Sequence, residues 1–179
     1  MAKEFDPHRL DVRRFAEEGA ELQAADPLPA FRRLAAETEG GDPERAVRWR
    51  AHGRIVNPQH VQPEIWVHLQ AQATLPLVCQ RCLQPVEVPL AVDRDFRFVA
   101  DEATAAAQDD EAEEDVLALS RSFDLLELVE DELLMELPVA PRHEVCPVAM
   151  PMSAGDEEFE AAEAARENPF AVLGRLKKH

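Results

Sequence analysis

The chain has no tyrosine, six glycines, three cysteines and no apolar run long enough to cross a bilayer among its 179 residues. Each shortage excludes something. With so few glycines there is no phosphate-cradling loop of the nucleotide-binding kind, and neither a G-x-S-x-G elbow nor an H-E-x-x-H pair occurs. An odd and small number of cysteines does not make a disulfide framework, so the thiols are expected reduced, as in the cytoplasm. No positively charged start followed by an apolar stretch is seen, so no secretory address is expected. The lack of tyrosine and the fourteen prolines are unusual but point to no function.

What is present suits a folded domain: 46% of residues are hydrophobic and 31% charged. The formal net charge is −17, unevenly spread. Up to Ala100 there are 13 basic against 15 acidic residues, and beyond it 6 against 21. A uniform acidic shell would repel nucleic acid, whereas this asymmetry leaves room for a local basic surface in the first half.

Periodicity organises the chain into an expected single domain over 1–179. Residues 1–44 read as helical, with Phe15, Leu22, Phe31 and Leu34 as anchors and a break at Pro27 and Pro29 that predicts two short helices. Residues 45–99 alternate. Val47, Trp49, Ala51, Gly53 and Ile55 fall on one side of a strand, and Arg48, Arg50, His52 and Arg54 on the other. Ile65 to Leu75 and Val86 to Val92 repeat the period, the latter continuing towards Phe96 and Phe98. Residues 100–122 read as a solvated acidic loop. Residues 123–137 read as a helix capped by Asp124 and ended by Pro138. Its expected core stripe is Leu126, Val129, Leu133 and Leu137, with Glu127, Glu130, Asp131 and Glu136 outside. Residues 138–179 form a C-terminal tail with room for a short acidic helix. The fold class is α+β, an antiparallel β-meander packed by helices.

Two constellations could carry chemistry. Cys79-Gln-Arg-Cys82 places two thiols on one tight turn, half of a tetrahedral zinc site, and His143 with Cys146 could supply the rest. Only the first half has strong spacing. A hairpin corner of small residues is therefore the preferred reading, no metal or other cofactor is assigned, and zinc is expected below one per chain. A thioredoxin-like role would need a helix after the pair, where a strand follows. The row Arg48, Arg50, His52, Arg54 lies in a window, Arg45 to Pro63, without a carboxylate except at Glu44 and Glu64 on its flanks. It could meet phosphates, or it could be an outer face answered by the acidic second half. Trp66 could offer a stacking surface but reads rather as core. Glu130 and Asp131 as an acid/base pair is weak, because exposed helix carboxylates are usually only solvated. No catalytic residue is assigned.

Three blocks in order, the Cys79–Cys82 turn with its following "LQP", "DLLELVEDELLMELPVAPRH" with a cysteine three residues on, and the terminal "NPFAVLGRLKK", resemble the YceD family of large ribosomal RNA subunit accumulation proteins. The resemblance implies a cytoplasmic protein supporting synthesis, processing or stability of 23S ribosomal RNA. It implies no catalytic activity, and the expectation is a non-enzymatic biogenesis factor. Its partners would be a ribosomal RNA precursor, a large-subunit assembly particle or basic ribosomal proteins, with no membrane and no small-molecule substrate. The alternative is an RNA-processing enzyme or its direct cofactor, with or without zinc. Some relatives carry further cysteines after the second block, where this chain has only Cys146.

Overall fold

The computed structural model describes residues 5–39, 44–109 and 111–148. The expected acidic helix of the tail and the "NPFAVLGRLKK" block lie outside them. All helices and strands of the described residues fall in one compact unit, Met1–Val145; a second, Cys146–His179, is described only at its first three residues.

The period-two segments form the strands that they predict. We number them with the others in chain order: β1 Glu21–Pro27, β2 Ala46–Val56, β3 Glu64–Val78, β4 Pro85–Val99 and β5 Asp115–Ala118. They make one five-stranded sheet in the order β1-β2-β3-β4-β5. The first three pairings are antiparallel, with Ala51 opposite Leu69 and Ala71 opposite Val92, and β5 joins β4 in parallel. The sheet is thus mostly antiparallel and open, and the fold is α+β.

One face of the sheet is apolar because alternate residues of three strands put Val47, Trp49, Ala51, Val67, Leu69, Leu75, Leu90, Val92 and Phe96 there, all buried. Helices α1 Val12–Glu17, α2 Arg32–Ala36 and α4 Leu125–Met135 contribute Phe15, Leu34, Leu125, Val129 and Leu133 to the same core. Helix α1 lies directly on β2. A Cβ on Gly53 would stand 2.7 Å from the Phe15 ring and 2.8 Å from its carbonyl oxygen, so the close approach requires glycine at this position. Asp124 caps α4 as expected, its carboxylate accepting from the N–H groups of Leu126 and Glu127.

Three expectations need correction. Residues 21–27 are not helical but form β1, a strand exposed along nearly its whole length. Pairing with β2 through seven residue partners outweighs the helix propensity of its Glu, Leu and Ala. The acidic stretch after Ala100 is not a simple loop. It carries helix α3 Glu102–Asp109 and then β5, tied in by Arg97, which pairs with Glu114 and donates to Gln108. Glu130 is not on the outside of α4. It is buried, and its Oε1 accepts from the backbone N–H groups of Arg33 and Leu34, at 2.7 and 3.1 Å. A carboxylate from α4 thereby caps α2, whose own N-cap residue, Phe31, supplies no side-chain bond.

Candidate functional site

The second face of the sheet is polar and open. Register stacks it in rows: Arg48 beside Gln72, Arg50 beside Gln70 and Asp93, His52 beside Glu21, His68 and Asp95, and Arg54 beside Trp66 and Arg97. Arg48, Arg50 and Arg54 are exposed and His52 half-buried, so the four residues of the row do share one face. A shallow depression of about 680 Å³ runs across it between Ala25, Arg48, Gln72 and Ala91.

Among the described residues the row is partly neutralised, by carboxylates of the neighbouring strands. Arg50 meets Glu21 of β1 at 2.6 Å, and Arg54 meets Asp95 of β4 at 3.1 Å. The Arg50 hydrogen bond holds the Glu21 carboxyl below the usual glutamate range, and that same bond raises the Arg50 guanidinium. Both pairs are exposed, so they are weak and exchangeable. Arg48 has no ion-pair partner among the described residues. Trp66 is half-buried on this polar face rather than in the core, with the Arg54 guanidinium 5.5 Å from its ring centre and its indole N–H on Glu64. Glu21, Asp93 and Asp95 escape a reading of β2 by itself. Their signal is the pairing of the strands, which sequence shows for β4 and conceals for β1.

The second constellation sits at the far end of the β3–β4 hairpin. The turn is closed by the Leu83 N–H on the Cys79 carbonyl and the Cys79 N–H on the Gln84 carbonyl, both 2.9 Å. Leu83 takes a left-handed conformation, φ 58°, which is strained for a bulky side chain. The segment after α4 folds onto this turn. The Gln80 N–H donates to the Pro141 carbonyl, and the Arg81 guanidinium donates to the carbonyls of His143 and Glu144. His143 then stands with Nδ1 3.4 Å from Cys82 Sγ and Nε2 3.0 Å from the Pro85 carbonyl oxygen. The ligand atoms of Cys79, Cys82 and His143 all lie within 4.8 Å of one another, and Cys146 follows His143 by three residues in the sequence. Cys79 and Cys82 are buried, while His143 and Cys146 are partly exposed. Burial pushes the Cys79 thiol up. Backbone N–H groups of His143, Cys82 and Arg81, with the His143 side chain, outweigh it and bring the pKa down to about 5. Three of the four candidate ligands, Cys79, Cys82 and His143, are thus brought together within the first unit, although Cys82 and His143 are 61 residues apart in sequence.

Residues 67–177 match the family model described as large ribosomal RNA subunit accumulation protein YceD. The chain belongs to the YceD family. A relative from Haemophilus influenzae, itself named large ribosomal RNA subunit accumulation protein YceD, is 32% identical over 142 residues, covering 75% of this chain and 79% of its own. No solved structure matches the chain. The YceD match begins at Val67, inside β3, so it takes in the cysteine turn, α4 and the His143 segment while the arginine row of β2 falls before it. Among the described residues no helix is long and apolar enough to cross a membrane.

Proposed function

We propose that this chain supports accumulation of large-subunit ribosomal RNA in the cytoplasm as a binding factor rather than an enzyme, and that its open sheet face meets the RNA of a precursor or of an assembling particle. The observation that carries this reading is the face itself. Among the described residues it presents Arg48 without an ion-pair partner, Arg50 and Arg54 held by exposed carboxylates, and an aromatic ring and two glutamines alongside. Arginines two residues apart on a strand stand about 6.6 Å apart, which lets them address successive phosphates of one strand. Phosphate can replace Glu21 and Asp95 at small cost because those bridges are exposed. Trp66 and the amides of Gln70 and Gln72 suit unstacked bases. An open face with balanced ion pairs does not exclude water from a reacting group, which favours binding over catalysis. Membership of the YceD family supplies the rest of the reading.

The test is the triple substitution R48Q/R50Q/R54Q, assayed for binding to precursor particles and to single-stranded ribosomal RNA segments over a range of salt. Binding should weaken, and the slope of log affinity against log salt should become shallower by about 2, at about 0.7 per phosphate contact on single strands. Circular dichroism should show an intact fold, because these side chains point away from the core. Particle binding and slope equal to wild type would overturn the proposal. So would loss of binding that proves to be carried by a basic ribosomal protein with RNA absent.

A further inference from the structure

We propose that Cys79, Cys82, His143 and Cys146 hold one zinc ion in a closed tetrahedral site. This inference concerns a different part of the molecule from the RNA-binding face and does not depend on it. Three sulfurs and one imidazole are a donor set that zinc takes in structural sites, and a soft set of this kind is ill matched to calcium or magnesium, which take oxygen. The ligand atoms of Cys79, Cys82 and His143 are already gathered within 4.8 Å, without a carboxylate among them, and Cys146 stands three residues after His143 in the chain, near enough in sequence to supply the fourth.

The surroundings are those of a ligand shell. A metal-bound histidine commonly donates its other ring N–H to a backbone carbonyl, which fixes tautomer and orientation. Here Nε2 lies 3.0 Å from the Pro85 carbonyl oxygen, which can only accept, so Nε2 carries the proton and the Nδ1 lone pair faces Cys82 Sγ. Backbone N–H groups of His143, Cys82 and Arg81 are directed at the Cys79 sulfur, as second partners of a ligating sulfur are. As four protein ligands leave no open position, the ion would be structural. It would fasten the hairpin end to the segment following α4, two stretches that the described residues otherwise join through a few exposed hydrogen bonds. A plain hairpin corner accounts for Cys79 and Cys82, but not for an imidazole converging on them from 61 residues away. The convergence therefore argues against the expectation of less than one zinc per chain, which rested on the missing fourth cysteine.

The full chain, purified without chelator and with thiols reduced, should contain one zinc per chain by elemental analysis. Cobalt(II) exchanged into it should give the intense visible bands and thiolate charge-transfer absorption of a tetrahedral sulfur-rich site. C79S and C82S should each lose the zinc, and H143N should weaken the cobalt spectrum. If the cysteine variants do not fold, the wild-type chain still decides. A thiol-blocking mercurial should release one equivalent of zinc to a colorimetric indicator, and a strong chelator should lower the unfolding temperature. A reduced wild-type chain that takes up neither zinc nor cobalt would overturn the proposal, as would zinc retained by a folded C79S/C82S double variant.

Discussion

Glu130→Ala removes a cap that one helix lends another. The Glu130 Oε1 atom accepts from the N–H groups of Arg33 and Leu34 at 2.7 and 3.1 Å, and Oε2 takes the Arg33 Nε at 2.9 Å. Leu34 is fully buried, so its N–H finds no water when the carboxylate is gone. Leaving one buried donor unsatisfied costs about 1–3 kcal/mol. With the partly buried Arg33 N–H added, Glu130→Ala should cost about 2–4 kcal/mol. For a chain of this size that lowers the unfolding temperature by roughly 4–16 °C, at about 2–4 °C per kcal/mol. Glu130→Gln separates the two roles of the side chain. Its single amide oxygen can keep both backbone bonds, and only the ion pair to the half-exposed Arg33 is lost, so its effect should be much smaller. Thermal and urea unfolding of the full chain, followed by circular dichroism, reads both variants. Equal losses for Ala and Gln would refute the cap and put the weight on the ion pair; an Ala variant as stable as wild type would refute both.

Two further substitutions test the packing. Gly53→Ala should lower the unfolding temperature, since overpacking costs about 1–3 kcal/mol and the new methyl meets backbone as well as ring atoms of α1; a midpoint at or above wild type would show that α1 can lift off β2 freely. Glu132→Gln tests a buried acid. Burial raises the Glu132 carboxyl pKa above the usual value, Arg94 pulls it back, and Asp115, Asp131 and Glu136 push it further up. A raised acid keeps its full contribution to stability below its unfolded pKa and loses it as pH rises through the folded one. Wild type should therefore lose stability from about pH 4.5 upward through this group, and Glu132→Gln should flatten that decline. Midpoints measured from acid to neutral pH check it, and parallel profiles for the two proteins would contradict the assignment.

The central strands are legible in sequence because each has one wet and one dry face, and burial in β2 alternates almost residue by residue. β1 is not legible for the same reason inverted: exposed on nearly every residue, it has no dry face to write a period of two. Pro27 and Pro29 do interrupt the helical pattern, but what they bound is a strand and a single 3₁₀ turn at Leu28–Ala30. The burial of Glu130 escapes detection because its partners are backbone N–H groups, which leave no mark in side-chain composition. The arginine row is plain from alternation, while its carboxylate partners depend on which strands lie alongside. The cysteine turn shows only half of its constellation locally. His143 reaches it because β4, α3, β5 and α4 intervene and return the chain to the same end of the sheet, and that is long-range topology.

β1 also decides how the molecule behaves towards its own copies. A sheet with open sides offers unpaired N–H and C=O groups at its two outermost strands, and these can template the addition of another chain. Here the outermost strands are the shortest, seven residues in β1 and four in β5, against eleven and fifteen within. β1 carries Glu21 and Asp26 and ends on Pro27, which has no N–H to offer. A chain cleaved after Pro27 would unmask β2, eleven residues long with a continuous apolar side, to solvent and to other such strands. The strand least visible in the sequence therefore guards against polymerisation, and cleavage next to it would be felt first as aggregation rather than as loss of the binding face.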